Sequence, residues 1–177
     1  MRTVPIQRGV KGMATNRGKQ FEGVIREAFE KVPNTSVIRL PDPTNGYLGI
    51  RNISDFIVYH YPHQHFIECK SVHGNTLPFS NITENQWNGM LEMSNIKGVI
   101  AGVICWWVDK DMTAFLPIQF LKEAKENHFV SLPSDYADKW ILDNYSCLPV
   151  IINGKKKRIF FDYDMEEFLN GIRERAD

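Results

Sequence analysis

Ile53-Ser54-Asp55-Phe56-Ile57-Val58-Tyr59 and, shortly after it, Phe66-Ile67-Glu68-Cys69-Lys70 are the stretches that decide how this sequence folds. β-Branched and aromatic residues crowd both, so both read as buried strands. Tyr61-Pro62-His63-Gln64 between them reads as a hairpin turn. A carboxylate in a buried strand costs free energy unless positive charge shares its site. Side chains alternate across a strand, so Glu68 and Lys70 share one face, while Asp55 shares its face with Ile53 and Ile57. If the strands pair, the two carboxylates converge, and at about 4 Å they repel unless a cation lies between them. Mg²⁺ suits such a site, because it needs only one or two carboxylates and keeps several waters. It would polarise a phosphate and help to ionise a bound water, with Lys70 holding that water or neutralising charge on phosphorus. The alternative is that Glu68 and Lys70 are exposed neighbours on an edge strand, paired by charge.

The 177 residues fit one domain, and 43% apolar content is enough for a core. The 21 basic residues balance 21 acidic ones, which is less basic than most nucleic-acid binders. The balance hides local bias. Between Met1 and Arg26, Arg2, Arg8, Lys11, Arg17, Lys19 and Arg26 face only Glu22, and Lys155-Lys156-Lys157-Arg158 form a second basic cluster. Such patches meet phosphates even on a neutral protein. Cys69, Cys105 and Cys147 form neither a disulfide framework nor a Cys-x-x-Cys metal knuckle. A reducing cytoplasm is the expected compartment. The longest apolar run, Val99 to Val108, is too short to span a bilayer, so no membrane is expected.

Along the chain, residues 1–14 read as a flexible basic arm, and Asn16 as the cap of a helix to about Lys31 with Phe21, Val24, Ile25, Ala28 and Phe29 on its apolar face. Ser36 to Leu40 reads as a strand, 41–52 as a Pro/Gly-rich loop, and 71–82 as an irregular polar loop. Thr83-Glu84-Asn85-Gln86 predicts a capping box and a helix to about Asn95. A central strand over Val99 to Val108, a strand over Thr113 to Leu116 and a helix from about Ile118 to Glu126 follow. Leu148 to Ile152 and Arg158 to Phe161 read as strands around Asn153-Gly154, and Asp164 to Glu167 opens a last helix to about Arg173. The order predicts an α/β domain with a mixed sheet.

The spacing Asp55…Glu68-Cys69-Lys70 resembles the core of the PD-(D/E)XK nuclease superfamily. Within it, the chain resembles the RecU family, Holliday-junction resolvases of Gram-positive bacteria and some of their phages. Asn16-Arg17-Gly18-Lys19-Gln20-Phe21-Glu22 is similar to the start of that family's first helix. Ser54-Asp55 through Ser71 is similar to its catalytic hairpin, and Asn75 through Gln86 to the loop and helix start beyond. The blocks lie in the family's order over about residues 16–108. The resemblance implies a restriction-endonuclease-like domain over 15–177, a central mixed sheet flanked by helices, and a Mg²⁺-dependent homodimer that nicks branched double-stranded DNA in pairs. Mn²⁺ is expected to substitute. Asp55, Glu68, Lys70 and Gln86 would be catalytic, with Asp55 and Glu68 on the metal and Glu22 and Ser54 in support. Glu22 also reads as a plain helix-surface charge, and Gln86 as the capping-box residue alone. Residues 41–52 correspond to the family's stalk but lack its usual motif, so they would form a short stalk-like loop. Rival readings are a related nuclease of linear or flapped duplex, and a DNA-binding or phage structural protein that does not cut.

DNA contacts are expected from Arg17, Lys19, Lys155, Lys156, Lys157 and Arg158, although the last four also read as a solvated turn. His60, His63 and His65 read as incidental residues of a solvated hairpin. Trp106 and Trp107 point to opposite faces of their strand, for core packing or a dimer interface, or for base stacking by one of them.

Overall fold

The computed structural model describes residues 10–41, 52–136 and 146–176. Helix α1 (Val10–Glu30) leads into β1 (Thr35–Arg39), β2 (Phe56–His60) and β3 (His63–Val72). A short β4 (Thr76–Pro78) and a 3₁₀ turn (Phe79–Asn81) precede α2 (Glu84–Ser94). Then come β5 (Val99–Trp107), β6 (Met112–Pro117), α3 (Ile118–Glu126) and β7 (Ser131–Pro133). The described chain closes with β8 (Val150–Ile151), β9 (Gly154–Lys156), β10 (Phe161–Tyr163) and α4 (Met165–Ala176).

Six strands form the central sheet in the order β1-β2-β3-β5-β6-β8. β3 and β5 run parallel, and the other neighbours are antiparallel. Alternation divides the core into two layers. Phe66, Val103, Cys105, Trp107 and Leu116 pack under α2 and α3, against Trp87, Met90, Phe120 and Leu121. Phe56, Val58, Ile67, Ile104, Trp106 and Phe115 pack on the opposite face under α1 and α4, against Phe21, Ile25, Phe29 and Phe168. The expected α/β architecture, a central mixed sheet flanked by helices, is the one observed.

Several boundaries differ from the sequence reading. Asn16 lies inside α1, which begins at Val10, so 10–14 are helical rather than part of an arm. No proline lies between Pro5 and Pro33, and Lys11, Met13 and Ala14 are good helix formers. The rest of the proposed arm, 1–9, and residues 42–51 of the stalk-like loop proposed over 41–52 lie outside the described residues, as do 137–145. The loop over 71–82 contains β4, which pairs with β7 through Leu77 and Leu132. The hairpin around Asn153-Gly154 is displaced: Gly154–Lys156 pair with Phe161–Tyr163, and the turn falls at 157–160, where the Lys157 N–H donates to Phe160 O over 2.8 Å. Trp106 and Trp107 do point to opposite faces, but both are fully buried and neither can stack on a base.

Candidate active site

The site is built on the β2–β3 hairpin. Phe56 pairs with Ile67 at the end of the β2–β3 register, and Asp55, one position before Phe56, lies within electrostatic reach of Glu68, which faces α2 through Gln86. Asp55 stands just before β2 rather than within it, where its N–H donates to Ile67 O over 3.0 Å and its own carbonyl accepts from Leu40 N over 2.8 Å. Its Oδ2 accepts from the Cys69 N–H over 2.7 Å. Ser54, buried beside it, donates through Oγ to Phe56 O at 3.1 Å, so its support is to the backbone that holds Asp55.

Glu68 is only 2% exposed, which removes the exposed edge-strand alternative. Its Oε1 accepts from Lys70 Nζ and from Gln86 Nε2, both at 2.6 Å. Its Oε2 is buried and has no hydrogen-bond partner. A carboxylate with one oxygen doubly satisfied and the other bare is poised to bind something further. Gln86 also completes the capping box expected from the sequence: its Oε1 accepts from Thr83 N over 3.0 Å, and its N–H donates to Thr83 Oγ1. Gln86 therefore caps α2 and also bonds Glu68.

Burial, then the Glu68 charge, push the Asp55 carboxyl up to about 7. Glu68 is raised as well, chiefly by burial, against the opposing pull of Lys70 and Gln86. Glu22 of α1 reaches both carboxylates electrostatically and adds to their rise, while its own Oε2 pairs with Arg39 Nη2 at 3.2 Å. It belongs to the site's charge environment. Asp55 and Glu68 are thus two buried acids pressed further by Glu22, with Lys70 bonded to Glu68, which is unfavourable without more positive charge.

The basic residues divide into two groups. Arg17 of α1 donates through Nη1 to His73 Nε2 at 3.1 Å, just beyond the end of β3, and Lys19 is exposed on the same helix. The 155–158 cluster sits on the β9–β10 hairpin, where Lys156 pairs with Asp111 and Lys157 with Asp162 at 3.5 Å. Lys155 and Arg158 are exposed there. Half of that cluster is therefore already matched to carboxylates.

No protein-family model matches this chain, and no curated protein does. Among solved structures it is similar to Hjc of Archaeoglobus fulgidus, a Holliday junction resolvase from an archaeal hyperthermophile. That similarity stands at 14% identity and a TM-score of 0.40, over 59% of this chain and 77% of that one.

The histidines are not a solvated turn. The turn is only Tyr61-Pro62, and His63 and His65 are buried within β3 on the face opposite Glu68. They form no metal site: among the described residues, no group of three or more His, Cys, Asp or Glu side chains could hold an ion. No helix among the described residues is long and apolar enough to cross a membrane. His73 and Asp109 were not singled out from the sequence. They lie 56 and 92 positions from Arg17, and no local signal links residues so far apart.

Proposed function

We propose that this chain is a Mg²⁺-dependent DNA endonuclease of the PD-(D/E)XK type, acting on branched duplexes as the RecU-like resolvases do. One observation carries the reading. Asp55 and Glu68 lie close enough for their charges to act on each other, Lys70 is bonded to Glu68, and Glu68 Oε2 is buried with no partner. A protein that merely bound DNA would have no use for a buried, under-satisfied acid pair.

The donor set fits a small hard cation. Two carboxylates with one bare oxygen leave most of the coordination shell to water and substrate, the arrangement Mg²⁺ prefers. When bound, such a cation polarises the phosphate and acidifies a water. Asp55 and Glu68 would hold it. Gln86 and Lys70 fix Glu68 through Oε1, which leaves Oε2 unengaged. The Lys70 ammonium offsets the charge that builds on the non-bridging oxygens of the phosphate as the bond breaks. Burial of the pair under α2 keeps these electrostatic effects strong. Paired nicks on a four-way junction require two such sites, so the proposal includes a homodimer. A cytoplasmic setting accords with three free cysteines, two of them buried.

The test compares a labelled four-way junction with a linear duplex of the same sequence in Mg²⁺ and in Mn²⁺, using wild type and Asp55→Asn. Paired, junction-selective nicks lost in the variant support the whole reading. Equal cutting of both substrates keeps the nuclease and removes the junction preference. Cutting that survives both Asp55→Asn and Lys70→Ala sinks the site.

A further inference from the structure

We infer that His73, held by Asp109, is a positioning residue that aims Arg17 at a DNA phosphate flanking the cut. The inference rests on the nuclease reading above and assigns roles that the catalytic hairpin leaves open.

The three side chains come from three elements. Arg17 is on α1, His73 follows β3, and Asp109 follows β5. Val72 and Trp107 are register partners at the ends of two parallel strands, so His73 and Asp109 leave the sheet side by side. Ligands of open α/β sheets gather beyond the carboxyl ends of such strands. Asp109 Oδ1 lies 3.1 Å from His73 Nδ1, and its Oδ2 accepts from the Gly74 N–H over 2.6 Å. Both oxygens are therefore engaged, and the carboxylate is fixed. Gly74 adopts a positive φ of 81°, which turns its N–H back toward Asp109 and costs a glycine little.

The proton on His73 follows from its partners. A guanidinium only donates, so Nε2 must accept from Arg17, and the ring proton sits on Nδ1 and donates to Asp109. The imidazole is thus a rigid spacer between a fixed carboxylate and Arg17. Arg17 carries five N–H donors, and the His73 contact uses one of them. The remaining fork suits bidentate recognition of a phosphate. His73 lies three residues beyond Lys70, about 10 Å along an extended chain, so the phosphate taken would flank the one beside Lys70. Without His73, Arg17 keeps its charge but loses its aim.

The test measures DNA binding in EDTA across a series of potassium chloride concentrations, with thermal melts to confirm folding. Arg17→Ala should weaken binding about tenfold and flatten the dependence of log Kd on log salt by about one, the signature of one lost phosphate contact. His73→Ala should shift both quantities in the same direction by a smaller amount. The double variant should be no worse than Arg17→Ala. His73→Gln should recover most of the loss, because its amide N–H can face Asp109 and its amide oxygen can accept from Arg17. An unchanged salt slope in His73→Ala, or a loss that adds in full to that of Arg17→Ala, overturns the inference. If the wild type neither binds nor cuts DNA, the nuclease reading falls with it. Asp55-dependent cutting with an indifferent Arg17→Ala removes this inference alone.

Discussion

Gln86 joins α2 to β3 through Glu68: its Nε2 lies 2.6 Å from Glu68 Oε1 while its Oε1 accepts from the N-cap residue Thr83. One side chain thus terminates a helix and orients a buried acid. Gln86→Ala should lose about 1 to 2 kcal/mol of stability from the cap and the bond to Glu68, read by chemical denaturation. Cleavage should fall by about tenfold or more, because Glu68 is then held by Lys70 alone. A variant with full activity and reduced stability would confine Gln86 to capping.

Asp55 makes the cation-free protein sensitive to rising pH. Its carboxyl moves from an ordinary 3.8 up to about 7 on folding, so the folded state holds the proton longer than the unfolded one. The associated stability is present below about 4 and disappears as pH climbs through 7, a loss of about 2 to 4 kcal/mol. Asp55→Asn should remove that slope and be the more stable protein at pH 8 in EDTA. Added Mg²⁺ or Mn²⁺ should stabilise wild type and narrow the gap. Denaturation midpoints against pH, with and without metal, measure both effects.

His65 acts in the opposite sense. Its Nδ1 lies 3.2 Å from Val58 O and its Nε2 is buried without a partner, and burial holds the imidazole down at about 4 against an ordinary 6.5. The unfolded state therefore gains a proton first, so stability is intact above 6.5 and drains away toward pH 4, by about 2 to 3 kcal/mol. His65→Leu should resist this acid loss. In wild type the Asp55 and His65 trends oppose each other between about 4 and 7, so the measured profile should be flatter than that of either variant.

Gly89 lets α2 lie against the segment that carries Asp55. A Cβ at this position would come 2.1 Å from Ile53 Cγ2, far inside contact distance. Gly89→Ala should cost about 1 to 3 kcal/mol by overpacking, and should lower cleavage because α2 carries Gln86 away from Glu68. Shortening the obstacle should help: Gly89→Ala with Ile53→Ala is expected to recover part of the activity lost in Gly89→Ala. Melting temperature and cleavage rate of the single and double variants decide the matter.

What the sequence determined by itself was local. Period-two alternation put Glu68 and Lys70 on one face and Asp55 with Ile57, and the capping box at Thr83 and the helix Ile118–Glu126 stand where the pattern predicts them. These follow from backbone geometry and hydrogen bonding within a few residues, which any window of sequence contains. The start of α1 escaped because Asn16 is a good cap residue that the chain does not use as one. The tertiary structure alone decided the rest. Asp55 meets Glu68 only through the β2–β3 register, Gln86 reaches Glu68 only because α2 packs on that face, and Arg17, His73 and Asp109 meet only because β3 and β5 are parallel neighbours under α1. His63 and His65 are buried for a similar reason, since the helices covering their face come from distant sequence. Local periodicity specifies which way a side chain points along its own strand, but the partner across the gap is chosen by the packing of whole elements, and no short stretch of sequence encodes that choice.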